Sequence, residues 1–587
     1  MAEKNKEKEK SKKEIEKPKK EEASEEEINE SNAALVKNID KEFKEHSVAE
    51  FFKKNKQMLG LYGKVRTLTM VVHEYVTNSL DACEEANILP EIDVKIDELG
   101  SEYYQVTVTD NGPGISRENV GKAFGKLLAG TKFHRLIQAR GQQGIGCSGC
   151  TMLAQMTTGK PSKIITGRKG QKAISLEITV DPKTNEPKIA DLKEFGKEFN
   201  GTAVQAKFKG VIYRDSEQGP MEYLRRTAIA NPHAQISFRD PAGKKIVFKR
   251  TGKEIPAPPK EIKPHPKGVT IDDLLSMSKV SKARTVASFL TTDFDRMGAK
   301  GVEEVKKRVN FDMAKDPKKL TWDEAEEIIK SFKEIDFIAP STDALRPIGE
   351  ERIKNSLQSI VQPEFLTVLT RKPAVYAGGF PFQIEIGIAY GGNAGRPGGE
   401  GTERRIEIMR FANKSPLLFD AGSCALTKAV QTVEWKRYGI KDVEQAPLTV
   451  LVNFISVHIP YTGAGKQAIA DEEEVLEEIR LALMQTGRRA GIYISKRRRE
   501  QENQLKRELF YKFIPEIVEA LHKITGENKA SMQKKLEKVV LEKLKLEDAE
   551  EAKKSRADDK AMKEMDSDST YIQKKKKGED KVEKEEE

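Results

Sequence analysis

A chain of 587 residues with 37% hydrophobic and 33% charged side chains has material for about three to four domains, and an apolar share low enough that part of it builds no core. Mean hydropathy is −0.61, no apolar run nears the roughly twenty residues of a membrane helix, and MAEKNKEKEK has no apolar stretch behind its charges, which excludes a membrane-spanning protein and a secretory signal. Four cysteines make no disulfide scaffold and fit a reducing cytoplasm, and a net charge of +10 admits an anionic partner where the positive charge clusters.

Residues 1–30 are mostly Lys and Glu without apolar period and read as a disordered charged tail. From Ser31 a compact region begins, with a helix through Glu50, Phe51 and Phe52, a turn at Gly60–Gly63, and a long helix over Arg66–Ala86. Alternation predicts strands at Ile92–Ile96, Tyr104–Thr109, Lys163–Thr166, Ala173–Val180 and Ala203–Phe208. Helix and strand mix without a strict βαβ rhythm, so the fold class is α+β. Pro256, Pro258, Pro259, Pro264 and Pro266 make a stiff linker. A helical segment follows, and a second break falls at Ala339–Gly349. Strands return at Phe382–Ala389, Arg405–Arg410 and Leu448–Ile455, with a glycine-rich loop at Gly391–Gly401. Two helices, 471–488 and 497–524, close the ordered part, and from about 548 the charges read as a solvated tail.

Four motifs carry chemistry. In VVHEYVTNSLDA, Glu74 and Asn78 are four apart and share a helix face. An amide oxygen suits Mg²⁺ and a carboxylate suits taking a proton from water, although the same pair also occurs on plain solvated faces. In VTVTDNGPGIS, a strand ends at Asp110, and Gly112 and Gly114 let a planar base lie against the backbone; by itself DNG is also an ordinary turn. In GTKFHRLIQARGQQGIGCSGC, Gly141, Gly144, Gly146 and Gly149 expose backbone N–H groups before a helix starting near Cys147, with Thr131 and Lys132 upstream. The spacing departs from G-x-G-x-x-G and disfavours a dinucleotide fold. In YTGAGKQA, Lys466 sits in a truncated phosphate loop that fails the full Walker pattern; a solvated turn lysine is the plain alternative. Cys147 and Cys150 form a C-x-x-C without a second pair at zinc spacing. His73 is expected on a different helix face from Glu74.

The order of these motifs resembles the Bergerat ATP-binding superfamily of gyrase-type topoisomerases, MutL, heat-shock ATPase chaperones and histidine kinases. Within it the chain is similar to the B subunits of type IIB DNA topoisomerases (topoisomerase VI) over about residues 31–510, through HEYVTNSLDACEEA, VTDNGPGIS, AGTKFHRLIQARGQQGIGCSG, the proline-flanked helical insert, RFANKSPLLFD and VHIPYTGAGKQAIA. The resemblance implies an ATPase domain at 31–262 with an N-terminal dimerisation strap, a helix-two-turn-helix domain at 263–340, a transducer at 341–510, and a C-terminal helix with a charged tail at 511–587.

It also implies roles. Glu74 is the general base, Asn78 holds Mg²⁺, and Asp110 binds the adenine amine beside Gly112 and Gly114. Thr131, Lys132 and the loop Gly141, Gln142, Gln143, Gly144, Ile145, Gly146, Cys147 and Ser148 wrap the phosphates, and Lys466 reaches the γ-phosphate. The implied cofactors are ATP and Mg²⁺. The implied partners are double-stranded DNA, a second copy on ATP binding, and a DNA-cleaving A subunit with a Tyr nucleophile in an A2B2 heterotetramer, with no membrane. Lys279, Lys282, Arg284, Lys306, Lys307 and Arg308 of the insert are candidates for DNA phosphates, or else a solvated face. A mismatch-repair clamp would lack the insert, a chaperone scaffold would use ATP closure without DNA passage, and a histidine kinase would need a phosphoacceptor helix.

Overall fold

The computed structural model describes residues 47–55, 60–130, 135–141, 144–195, 199–398, 404–463 and 465–567. The tail at 1–30, most of the strap, and Thr131, Lys132, Gln142 and Gln143 lie outside the described residues.

The first unit packs helices on one face of an eight-stranded sheet. Helix α1 (Val48–Lys54) is capped by Ser47, whose hydroxyl also donates to Pro182 O, and it seats Ala49 against Leu127, Met152 and Val180. Helix α2 (Lys64–Glu85) buries Leu68, Val71, Val72, Tyr75, Val76 and Leu80, a 3.6-period stripe against the sheet. Then come β1 (Glu91–Gly100), β2 (Tyr103–Asp110), α3 (Arg117–Gly125), α4 (Gly146–Thr158), β3 (Ser162–Gly167), β4 (Ala173–Val180), β5 (Pro187–Phe195), β6 (Gly201–Lys209), α5 (Pro220–Ala230), β7 (Gln235–Arg239) and β8 (Lys245–Phe248). The order is β5-β4-β3-β6-β2-β1-β7-β8, with only β1 and β7 parallel. The central β2 alternates buried and half-buried residues, as one face against helices requires. The sequence reading missed β5, β7 and β8. In β5 nearly every residue is exposed, so an edge strand without an apolar period left no signal.

The proline segment leads to a helical insert of α6 (Ile271–Val280), α7 (Val286–Asp293), α8 (Ala299–Lys306) and α9 (Trp322–Glu334). Capping boxes at Thr270/Asp273 and Thr321/Glu324 start α6 and α9. Leu274, Phe289, Phe294 and Phe332 form the insert's own core. Lys279, Lys282, Arg284, Lys306, Lys307 and Arg308 are all exposed, and Lys307 and Arg308 also pair with Glu304.

The last unit begins with α10 (Glu350–Ile360) and continues through β9 (Phe365–Thr370), β10 (Ala374–Tyr376), β11 (Phe380–Tyr390), the short pair β12 (Arg396–Pro397) and β13 (Arg404–Arg405), β14 (Glu407–Ala412), β15 (Ser415–Leu417), α11 (Ala425–Gln431) and β16 (Leu448–Ser456). Its sheet runs β10-β11-β16-β14-β15, with β9 also on β11. All nine residues of β16 are buried, the pattern of a strand covered on both faces.

Two corrections concern the C-terminal end. The two helices expected at 471–488 and 497–524 are one 53-residue helix, α12 (Glu473–Thr525). Gly487 and Gly491 do not break it. A Cβ on Gly487 would lie 2.8 Å from the Tyr438 ring and one on Gly491 3.1 Å from Tyr438 Cα, so both are small to seat that tyrosine. The tail expected to be disordered from about 548 is helical to Ser567, as part of α13 (Lys529–Ser567). Residues 548–567 contain no Gly or Pro and are rich in Ala, Lys, Glu and Met, so helix propensity carries α13 onward from where Met532, Leu536 and Val540 pack on Ile514, Val518 and Leu521.

Candidate functional site

Helix α2, the loop after β2, the start of α4, and Gly465 and Lys466 of the second sheet unit surround a cavity of about 520 Å³. Glu74, Asn78 and Asp81 line it from α2, Gly141 and Gly144–Cys150 from the glycine segment, and Gly465 and Lys466 from the far unit. Motifs read separately along the chain therefore converge on one space.

One end is a slot of about 70 Å³ between Val108, Val204, Phe124 and Ile115, with Asp110 and Thr202 among its lining. Asp110 ends β2 opposite Thr202 on β6. Its Oδ2 accepts from Ser79 Oγ at 2.7 Å, and its Oδ1 accepts from the Gly112 and Thr202 amides at 3.0 Å each. A carboxylate has about four acceptor positions, so one remains for a ligand's amine. Burial pushes the Asp110 carboxyl above its usual value, against those three donors. Gly112 and Gly114 are fixed by close approach. A Cβ on Gly112 would stand 3.0 Å from Asp110 Oδ1; one on Gly114, at φ +67°, would stand 2.1 Å from the Gly167 carbonyl oxygen.

At the other end, Glu74 lies over the first turn of α4, where a Cβ on Gly146 would stand 1.9 Å from its Oε2. Asn78 Nδ2 donates to Glu74 O at 2.7 Å and to Cys147 Sγ at 3.1 Å. That leaves the Asn78 amide oxygen free of any hydrogen bond among the described residues and on an exposed side chain. A hard amide oxygen of this kind is what Mg²⁺ takes from a protein when substrate oxygens and water complete its shell. Among the described residues there is no group of three or more His, Cys, Asp or Glu that would hold a metal by itself. Burial pushes both the Cys147 and Cys150 thiols well up, which makes them unreactive wall residues.

Lys466 is half-buried in the left-handed region, at φ +51°. Burial pulls its ammonium pKa down, while Glu74 and Asp81 pull it back up. His73 also lines this cavity, from a different face of α2 than Glu74, and its Nε2 meets Ser415 Oγ on β15 at 3.1 Å. Burial lowers its pKa, keeping the ring neutral. The helix wheel placed it away from Glu74, but the second unit supplies a wall there that a wheel does not contain.

The two sheet units share further contacts that sequence reading did not single out. Arg66 makes a two-pronged pair with Asp420 at 2.8 and 2.9 Å. Arg225, Arg226 and Arg396 surround the buried Glu407. Asn413 Nδ2 donates to Ala139 O at 3.1 Å, on the segment leading to the glycine loop. Leu418 and Phe419 complete the core of the first unit. The stretch RFANKSPLLFD, noted above only as part of a resemblance, carries most of this interface.

Comparison with known proteins follows the same division. Residues 63–185 match a family described as histidine kinase-, DNA gyrase B- and HSP90-like ATPase, and residues 340–506 match the topoisomerase VI B subunit transducer family. The B subunit of type 2 DNA topoisomerase 6 from Pyrococcus horikoshii is 47% identical over 564 residues, covering 88% of this chain and 98% of the relative. That of Pyrococcus abyssi is 46% identical over 572 residues, covering 89% and 100%. That of Methanothermobacter thermautotrophicus is 47% identical over 483 residues, covering 82% and 92%. With this identity over nearly the whole length of those proteins, the chain belongs to the family of type 2 DNA topoisomerase 6 B subunits.

Proposed function

We propose that this chain is the ATP-binding and hydrolysing subunit of a type II DNA topoisomerase, and that nucleotide in the cavity drives closure of a dimer gate that accompanies passage of one duplex through another. One observation carries the reading: Glu74 of the ATPase unit and Lys466 of the transducer unit line the same cavity. A nucleotide bound there is touched by both units, so its γ-phosphate is the group that ties them.

The adenine enters the slot and gives its amine hydrogen to Asp110. Glu74 accepts a proton from the attacking water. The amides of Gly144–Ser148 and the N-terminus of α4 receive phosphate charge. The Asn78 amide oxygen would hold Mg²⁺, which supplies charge neutralisation on the phosphates when bound. Lys466 reaches the γ-phosphate, and its loss on hydrolysis releases the transducer. Thr131, Lys132, Gln142 and Gln143 belong to the same phosphate wrapping.

The functional domains are proposed as 31–262, with its strap, for ATP and dimerisation, 263–340 as the helix-two-turn-helix, 341–510 as the transducer, and 511–587 as the C-terminal helix and tail. DNA cleavage falls to a separate A subunit with a Tyr nucleophile in an A2B2 assembly. The exposed Lys279, Lys282, Arg284 and Lys306 are the insert residues best placed for DNA phosphates. Free thiols at all four cysteines support a cytoplasmic setting, and no helix among the described residues is long and apolar enough to cross a membrane.

The test is turnover and nucleotide binding in two variants, assayed with the co-purified partner on catenated DNA. Glu74→Ala keeps ATP binding and loses about 10²–10⁴-fold in turnover. Lys466→Ala keeps ATP binding and loses the ATP-driven compaction seen by small-angle scattering. Normal turnover in the first, or normal compaction in the second, would remove that residue from its role.

A further inference from the structure

Lys466 occupies a backbone conformation that a lysine seldom adopts, at φ +51°, and such a residue persists only where its surroundings hold it. Both of its flanks are held against the ATPase unit. On one side, Gly465 and Gly60 approach so closely that a Cβ on either would be 3.4 Å from the other's Cα. Arg66 Nη2 closes over the same point, 3.6 Å from where a Cβ on Gly465 would stand. On the other side, the buried Gln467 accepts from the Leu418 and Phe419 amides at 3.2 and 3.3 Å and places its Nε2 3.4 Å from Met70 Sδ on α2.

Arg66 links the two flanks. It lies in the first turn of α2, eight positions before Glu74. Its guanidinium grips Asp420 with both terminal nitrogens, at 2.8 and 2.9 Å, and lies over the rings of Tyr62 and Phe419, 4.0 and 4.7 Å from their centroids. Its side chain is 11% exposed and that of Asp420 38%, so the pair is planar and two-pronged with its arginine side shielded from solvent. Asp420 itself has φ +55° and immediately follows Phe419, the residue whose amide Gln467 holds. Arg410 ties the same two pieces together, donating to Gln467 O at 3.3 Å and Phe419 O at 2.8 Å. Arg66 is on the ATPase unit and Asp420 on the transducer, so the pair exists only while the units are docked.

We infer that the Arg66–Asp420 pair is an interdomain latch that positions Lys466 at the mouth of the nucleotide cavity. This rests on the reading of Lys466 as the γ-phosphate contact. Arg66 and Asp420 are positioning residues: neither lines the cavity, and both act through the loop that carries the lysine. The latch separates nucleotide binding, which needs the ATPase unit alone, from turnover, which needs the lysine in place.

The experiment uses the full chain with its partner and compares wild type, Arg66→Ala, Asp420→Asn, Lys466→Ala and the double variant Arg66→Ala/Lys466→Ala. Two quantities are read: kcat and KM for ATP, and the rate at which acetic anhydride modifies Lys466 in the nucleotide-free protein, followed by peptide mass spectrometry. The latch predicts that Arg66→Ala and Asp420→Asn each lower kcat about tenfold with KM for ATP within twofold, because a small misplacement of a reacting group costs rate and not binding. It predicts that both raise Lys466 acetylation several-fold, and that the double variant turns over no more slowly than Lys466→Ala alone. Unchanged acetylation in Arg66→Ala and Asp420→Asn would overturn the latch, as would losses that multiply in the double variant. Raised acetylation beside wild-type turnover in Lys466→Ala would support the latch as a positioning device while overturning the γ-phosphate role, so the two failures are told apart.

Discussion

The two ends of the nucleotide cavity are built on different plans. The adenine end belongs to one unit: Asp110, Ser79, Gly112 and Thr202 all lie within residues 64–209 and are joined by sheet register and short hydrogen bonds. The phosphate end is composite: Glu74 and Asn78 come from α2, while Lys466 arrives from a loop nearly four hundred positions later. In the proposed function, a single-unit slot recognises the base whatever the transducer does. A composite end responds to the transducer's position, and there a phosphate can become a mechanical signal. The division predicts that damage at one end removes binding, and damage at the other removes turnover or coupling.

Two glycines break the comparison most directly. Gly114→Ala puts a methyl 2.1 Å from a backbone oxygen at φ +67°. Neither partner can rotate away, so the slot must distort. The conformational strain alone is about 1–3 kcal/mol, with the clash in addition, and the thermal midpoint and ATP affinity should fall together. Gly146→Ala puts a methyl 1.9 Å from Glu74 Oε2, the end of a flexible side chain that can swing aside. Here the midpoint should stay near wild type while turnover drops about a hundredfold, since displacement of Glu74, the proposed base, is the whole effect. Equal loss of stability in both variants would erase the distinction between the two ends.

A smaller effect tests the interface that joins them. Lys414, at the turn between β14 and β15, is 6% exposed and makes no hydrogen bond through its ammonium among the described residues. Burial pulls its pKa from 10.5 down to about 8, with Glu84 and Glu385 opposing and Arg140 and Arg352 assisting. Between those values the unfolded chain holds a proton that the folded chain has lost, so stability rises with pH across the window, and below about pH 8 the full cost of the buried charge is present. Lys414→Met should therefore raise stability at pH 7, by at most about 3 kcal/mol. The advantage should shrink between pH 8 and 10.5, as measured by denaturant midpoints of both proteins. An advantage that grows with pH would contradict the sign.

Local patterns carried much of this molecule and long-range ones did not. Glu74 and Asn78 were readable because four residues make one helical turn, and Asp110 because a strand end followed by N-G-P-G leaves one direction for the chain. The central strands were readable from their alternation. Arg66 and Asp420 are 354 positions apart, and no periodicity links an arginine in a helix's first turn to an aspartate after a strand. The same holds for His73 and Ser415. The unbroken course of α12 was not legible because a helix-breaking glycine and a packing glycine are one letter, and only Tyr438 in place tells them apart. The edge strand β5 was hidden because strands that bury nothing need no apolar pattern.

The smallest expected effect sharpens the adenine end. Asp110→Ala would remove a hydrogen-bond acceptor and also strand the buried amides of Gly112 and Thr202, mixing loss of recognition with loss of fold. Asp110→Asn keeps the shape and one oxygen. An oxygen facing the Gly112 and Thr202 amides keeps those bonds; Ser79 Oγ can turn to accept from the new NH₂, which otherwise stands where the ligand's amine would donate. Two donors facing each other cannot bond, so ATP affinity should fall about 10- to 100-fold, the range of a hydrogen bond to a charged group. Turnover at saturating ATP should remain within a few-fold, because the phosphate end is untouched. A purine nucleotide with a carbonyl in place of the amine should lose less affinity in Asp110→Asn than ATP does, since its oxygen can accept from the introduced amide. Titration of wild type and variant with both nucleotides would show this exchange as a smaller loss for the carbonyl nucleotide; equal losses would mean that the base does not face Asp110.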